Sequence, residues 1–139
     1  GTGSGILGIT ALKLGAKEVK GTDLDENAIV AVGENLKANG IEPEQFQVMQ
    51  GNILDDPTVQ QWAGFGCYDV AVANILADVI IPLVDEIPVH LKKGGIFISS
   101  GIINLKEQAV LEAFSRNQEL EVTEVTRQGE WVSVTARRK

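Results

Sequence analysis

This 139-residue chain has little cysteine, little histidine and no long apolar run, and each shortage removes a class of protein. Its one cysteine, Cys67, allows neither an internal disulfide framework nor a cysteine-based metal site, and it suits a reducing compartment. No apolar run approaches the ~18 residues that a membrane-spanning helix needs. No leader-like segment stands ahead of Gly1, so the expectation is a soluble, cytoplasmic domain. Positive charge is short as well. The net charge is −7, and the one basic cluster is the terminal Arg137-Arg138-Lys139, which reads as a solvated tail. A broad nucleic-acid-binding face needs a basic stripe, so direct nucleic-acid binding is not expected. What is present is ordinary for a globular domain: 44% apolar residues, enough for a core, and 22% charged residues, too few for a disordered tail.

Apolar periodicity and turn residues divide the chain into alternating elements. Ser4 to Leu14 reads as a helix with apolar residues nearly all round, capped by Gly15. Glu18 to Thr22 is a short strand ending at Asp23. Asp25 is the N-cap of a helix to Asn39 that buries Ala28, Ile29, Val32 and Leu36, and Gly40 stops it. A strand at Phe46–Gln50 leads to Gly51-Asn52, and a loose stretch with Pro57 and Trp62 follows. Tyr68 to Ala73 is an apolar strand that stops at Asn74. Leu76 to Leu91 is helical with an expected break near Pro82 and a kink or early end at Pro88. Lys92-Lys93-Gly94-Gly95 then supplies cations and turn residues for that helix's C-terminus. Strand 96–100 and helix 105–116 follow, the helix burying Ala109, Val110 and Phe114. Two last strands, 120–127 and 131–136, are joined by so short a turn that they must be antiparallel. The expected fold is α/β, a doubly wound, mostly parallel Rossmann-like sheet ending in an antiparallel hairpin, with residues 1–139 forming one domain.

Ligands of such sheets bind beyond the carboxyl ends of the strands. The opening "GTGSGIL" is a glycine-rich loop leading into a helix, where a ligand can approach the backbone and meet unpaired N–H groups. Two glycine frames fit. Gly3, Gly5 and Gly8 match the dinucleotide pattern G-x-G-x-x-G, with Asp23 twenty residues beyond Gly3. Gly1, Gly3 and Gly5 instead give G-x-G-x-G, a form associated with S-adenosylmethionine loops. In either frame Asp23 is placed to accept hydrogen bonds from ribose hydroxyls. The bland alternative is a tight turn beside a capping aspartate.

Asn74 favours the second frame. "VAVANILAD" sets one amide at the end of an apolar strand. A dehydrogenase has no particular use for it, whereas a transferase acting on an amine does. The Asn74 side-chain oxygen and a nearby carbonyl such as that of Ile75 would hold two N–H groups and leave the nitrogen lone pair aimed at a methyl donor, with reacting atoms ~3–3.5 Å apart. The alternative is an asparagine that merely ends a strand and caps a helix.

The stretches "GTGSGILGITALKLGA", "VKGTDLDENAI", "DVAVANILAD", "LKKGGIFISSGI" and "GEWV" resemble the catalytic domain of the PrmA family, over essentially the whole chain. "NILA" and "GEWV" are the specific signals; the glycine loop is widely shared. The family comprises class I S-adenosylmethionine enzymes that methylate large-subunit ribosomal protein eleven. The resemblance implies a cofactor loop at Gly1, Gly3 and Gly5, ribose contact at Asp23, and Asn74 beside both methyl donor and amine. Asn52 stands where many class I enzymes carry an aspartate near the adenine. Trp131 matches a family tryptophan, with a substrate-pocket wall and plain sheet packing as its two readings. Departures from the family pattern are the separate substrate-docking domain, an upstream threonine-containing segment and the first strand of the sheet. The chain is thus expected to be the N-terminally truncated part of a longer protein, and a sheet lacking its central strand is expected to be compromised.

No acid–base residue stands out. His90 lies far in sequence from the loop and reads as a bystander; Asp55, Asp56 and Asp78 read as solvated or capping residues. The expected chemistry is therefore positioning and electrostatics, without metal. A nicotinamide-dependent oxidoreductase and a non-catalytic cofactor-binding module are the alternatives.

Overall fold

The computed structural model describes residues 1–139 and divides into two compact units, Gly1–Ala63 and Gly64–Lys139. No helix in it is long and apolar enough to cross a membrane.

In the first unit α1 (Ile6–Lys13) is followed by β1 (Val19–Asp23), α2 (Glu26–Ala38), β2 (Phe46–Gln50) and α3 (Pro57–Ala63). β1 and β2 form a two-stranded parallel sheet, Val19 opposite Phe46 and Asp23 opposite Gln50. Asp25 caps α2 as expected, its carboxylate accepting from Asn27 N–H at 2.9 Å. The spacing of Ala28, Val32 and Leu36 then turns one stripe of α2 inward. That stripe shares a core with Ile9, Ile41 and Phe46.

Two boundaries in this unit differ from the sequence expectation. α1 starts at Ile6 rather than Ser4, because Gly3 and Gly5 hold positive φ values of 58° and 86° that a helix cannot contain. The stretch expected to be loose contains α3. Asp56 accepts from Thr58 N–H at 2.9 Å, Pro57 occupies the first helical position, and Val59 is 2% exposed.

The second unit contains β3 (Tyr68–Asn74), α4 (Ala77–Glu86), β4 (Leu91–Ile103), α5 (Glu107–Arg116), β5 (Leu120–Gln128) and β6 (Trp131–Arg138). Its sheet order is β3-β4-β6-β5, with β3 and β4 parallel and the other neighbours antiparallel. Gln128 pairs with Trp131 across the short turn, which makes the predicted hairpin. Phe97 on β4 and Phe114 on α5 are essentially fully buried, with ring centroids 5.9 Å apart. Each such ring contributes about 1.5–3 kcal/mol by leaving water. Ile80, Val84, Val110, Val134 and Ala136 complete this core.

α4 runs unbroken through Pro82, against the expected break. Pro82 is exposed, so water can satisfy the carbonyl that its missing N–H leaves free, while buried Ile80, Leu83 and Val84 hold the helix down. The early end does come before Pro88: α4 stops at Glu86 and residues 87–89 form a 3-10 turn. Lys92 to Gly95 therefore belong to β4, as an irregularity between the Tyr68–Leu91 and Val70–Ile96 pairs, and not to a helix terminus. β3 is apolar on both faces, yet Val70 and Val72 remain 49% and 48% exposed.

Gly8 gives the first test of this packing. A Cβ built there would overlap the Phe46 ring and lie 3.0 Å from Val19 Cγ1. Glycine to alanine inside a helix ordinarily stabilises by up to about 1 kcal/mol. Gly8→Ala is expected to do the opposite and lower the unfolding midpoint in denaturant, and a raised midpoint would contradict the close approach of α1 to β1 and β2.

Candidate functional site

The first unit brings Gly1, Gly3, Gly5 and Asp23 together at the carboxyl end of β1. Thr2 N–H and the Thr2 hydroxyl both donate to Thr22 O, at 3.1 and 2.9 Å, so the loop lies along the end of the strand. One Asp23 carboxylate oxygen accepts from Gly3 N–H at 2.9 Å and the other from Asp25 N–H at 3.0 Å. Asp23 thus ties the glycine loop to the start of α2. Each of its oxygens has a further lone pair, and the side chain is 15% exposed. Gly3 has open space where a side chain would stand; at Gly5 a Cβ would press on Val32 at 3.0 Å. The loop's glycines therefore divide their work: Gly3 leaves the approach clear, Gly5 and Gly8 let α1 sit close to the strands.

Asn52 lies in the loop that follows β2, and Gly51 N–H donates to Asp23 O at 2.9 Å. That places the Asn52 loop beside the end of β1. Its side-chain oxygen accepts from Leu54 N–H at 3.0 Å in a local turn.

In the second unit Asn74 ends β3 opposite Ser100 of β4. Its side chain does not cap α4: the cap position is Leu76, with no side-chain hydrogen bond. Neither the Asn74 carboxamide nor the Ile75 carbonyl takes a hydrogen bond within the chain. Both abut Gly101, a residue that the sequence reading did not single out. A Cβ on Gly101 would overlap Asn74 Oδ1 and lie 3.4 Å from Ile75 O. The missed signal is the glycine in "SSGI", at a strand end and level with "NI" of the neighbouring strand. Trp131 begins β6 opposite Ile103 and is 52% exposed, so it is not simply a core aromatic.

His90 is buried as a structural residue. Its Nδ1 lies 2.6 Å from Gly64 O, its Nε2 3.5 Å from a Glu86 oxygen, and its ring stacks on Phe65 at 5.2 Å. Asp56 caps α3, and Asp78 pairs with Lys106 at the surface, at 3.5 Å.

Burial pushes the Asp23 carboxyl up and hydrogen bonds from the Asp25 and Gly3 N–H groups pull it down, leaving the pKa below the ordinary 3.8. Since the folded value is lower than the unfolded one, this carboxylate's stabilisation is complete above about pH 3.8. It is lost as the pH falls through the lower, folded value. The Gly3 amide proton, followed by NMR, is therefore expected to titrate with a midpoint below 3.8, and to lose that titration in Asp23→Asn. A midpoint at or above 3.8 would rule out the loop–carboxylate tie.

The chain matches the family model described as "Ribosomal protein L11 methyltransferase (PrmA)" over residues 1–139. It is 55% identical over its whole length to the ribosomal protein L11 methyltransferase of Lachnospira eligens, covering 44% of that protein. It is 50% identical over 99% of its length to the protein of the same name from Agathobacter rectalis, covering 42% of it. The chain thus spans less than half the length of these curated relatives. Among solved structures, the ribosomal protein L11 methylase of Lactobacillus delbrueckii subsp. bulgaricus superposes with a TM-score of 0.86 at 35% identity. That superposition takes in all of this chain and 67% of the other. A solved putative methyltransferase complexed with SAH, at 12% identity and a TM-score of 0.75, shares the fold. The α/β fold is therefore that of class I methyltransferases, and a family model and relatives that agree from the first residue to the last settle the kinship: this chain belongs to the PrmA family.

Proposed function

We propose that residues 1–139 are the cofactor-binding and catalytic domain of a longer protein methyltransferase. It moves methyl groups from S-adenosylmethionine to amino groups, lysine side chains or the N-terminus, of ribosomal protein L11 of the large subunit. It works in the cytoplasm and needs no direct contact with nucleic acid. The observation that carries this reading is the pair of unused acceptors, Asn74 Oδ1 and Ile75 O, that abut one glycine at the end of β3.

The residues present suit the cofactor. Gly3 offers backbone without a side chain in the way, and Asp23 keeps acceptor capacity for hydroxyl groups beyond the two N–H groups it holds. The Asn52 loop stands next to Asp23 for further backbone contacts; its side-chain oxygen accepts one N–H, which leaves its amide nitrogen and a second lone pair free to bind. When bound, the cofactor supplies an electrophilic methyl group on a positively charged sulfur.

This chain's own residues then have to present an amine with its lone pair free. A lysine of pKa ~10.4 is protonated in neutral water and cannot attack. Taking it out of water favours the neutral form. Two neutral acceptors, the Asn74 carboxamide and the Ile75 carbonyl, hold its two N–H groups and leave the lone pair as the unheld position. A positioned general base is then unnecessary, in keeping with the burial of His90 among structural partners. Holding the amine within ~3–3.5 Å of the methyl group is what converts binding into rate.

The decisive experiment measures transfer of labelled methyl from S-adenosylmethionine to ribosomal protein L11 by the full-length protein that contains this chain, with NAD binding measured in parallel. Methyl transfer without NAD binding is expected; NAD binding without methyl transfer would favour the oxidoreductase reading supported by the Gly3-Gly5-Gly8 frame.

Two substitutions should separate in their effects. Asp23→Ala is expected to weaken S-adenosylmethionine binding by about 1.5–3 kcal/mol, the scale of hydrogen bonds to a charged group, as read by calorimetry. Asn74→Ala is expected to lower kcat by ~10²–10³ with a much smaller change in cofactor affinity, because its contact is made at the reacting centre. Asn74→Asp adds a negative charge beside the amine and favours the ammonium, so its lost rate should partly return at higher pH. An Asn74→Asp pH profile identical to wild type would remove Asn74 from the mechanism.

A further inference from the structure

β4 changes register just before its end. Ser99 pairs with Val134 and Ile102 with Val132, so Ser100 and Gly101 stand opposite Ser133 alone. This is a β-bulge, with Gly101 at φ 76°, in the left-handed region that side chains disfavour. Bulges re-aim what lies beside them, and the neighbour on the other edge of β4 is Asn74, paired with Ser100. A Cβ on Gly101 would overlap Asn74 Oδ1, reach 3.5 Å from its Cγ and lie 3.4 Å from Ile75 O. The carboxamide thus occupies the space that the absent side chain leaves.

We propose that Gly101 is a positioning residue for methyl transfer: the bulge and its missing side chain set the Asn74 carboxamide and keep the Ile75 carbonyl approachable. This rests on the functional reading above and extends it to a residue that touches neither substrate nor cofactor. Any side chain at 101 pushes the Asn74 oxygen off its place, so the amine loses one of its two acceptors. The cofactor loop and Asp23 belong to the other unit, Gly1–Ala63.

The structure also provides a matched control. Gly129, in the β5–β6 turn, has φ 60° and open space around a Cβ. Gly129→Ala therefore carries the backbone strain of a left-handed alanine without any overlap.

The test compares Gly101→Ala, Gly129→Ala, Asn74→Ala and the double variant Asn74→Ala/Gly101→Ala in the full-length protein, with ribosomal protein L11 as acceptor. Gly101→Ala should lower kcat ~100-fold or more, like Asn74→Ala, with cofactor Kd changed less than about 3-fold. Gly129→Ala should keep wild-type kcat. The double variant should be little slower than Asn74→Ala alone, because both remove the same contact. If Gly101→Ala does not fold, the double variant decides: deleting the amide should restore folding to the level of Gly129→Ala, and a double variant that stays unfolded overturns the proposal. A folded Gly101→Ala with full kcat, or rate losses that multiply in the double variant, also overturns it. Wild-type protein that transfers no methyl group would instead overturn the functional reading, and this proposal with it.

Discussion

The ring of Phe46, at the start of β2, sets the geometry of the amino-terminal unit. It is 3% exposed, and Gly8 makes room for it. A Cβ on Gly8 would overlap the ring, whereas one on Gly5 would meet it at an ordinary contact distance of 3.6 Å and press instead on Val32 at 3.0 Å. α1 can therefore settle onto β1 and β2 with backbone where other helices would present side chains. The glycine pattern that suggests a ligand loop is thus also a packing pattern. The two uses are linked, since the close seat of α1 carries its amino-terminal end to the edge where Asp23 stands.

Asp23 does the complementary work with charge. Its carboxylate takes one N–H from the loop before α1 and one from the turn into α2. The Asp25 donor is the N-cap N–H of α2, one of the orphan groups that a helix start leaves unpaired, and the Gly3 donor belongs to the loop two residues before the cap of α1. Satisfying them fixes the loop without filling the space over Gly3. The second unit uses a different device for the same end. There a bulge in β4, rather than a carboxylate, shapes the strand edge, and the Asn74 carboxamide and Ile75 carbonyl are left with no partner in the chain.

Much of this was legible in the sequence because local signals and tertiary packing agreed. The stripe of Ala28, Val32 and Leu36, the Asp25 cap, and the short turn between the last strands all have local causes, and each element formed where its residues pointed. The misreadings share a cause too. Pro82 predicts a break only if helix stability is local; buried Ile80, Leu83 and Val84 override it. α3 was hidden because one buried residue, Val59, makes no periodic pattern, although Asp56-Pro57 carried a capping signal. Gly101 was out of reach for a different reason. Its importance depends on strand register, and register joins "SSGI" to "VAN" only once β3 and β4 are paired. Asn74 stands out because a polar residue after an apolar run is visible locally, but its freedom from capping duty is a property of the fold alone.

The charge of the groups at each site matches the task proposed for it. A carboxylate is a strong acceptor for hydroxyls, which stay neutral, and Asp23 holds its charge firmly because backbone N–H groups solvate it. The same group beside an amine would stabilise the ammonium and remove the nucleophile. At the end of β3 the chain offers a carboxamide and a peptide carbonyl instead, dipoles that accept an N–H without adding a full negative charge. Such acceptors are weaker and are effective only when correctly placed, since a fraction of an ångström decides whether a neutral hydrogen bond forms well. That places the demand for precision on the backbone around Asn74 and not on its chemistry. A bulge whose glycine adopts a conformation that other residues avoid is a local structure that meets such a demand.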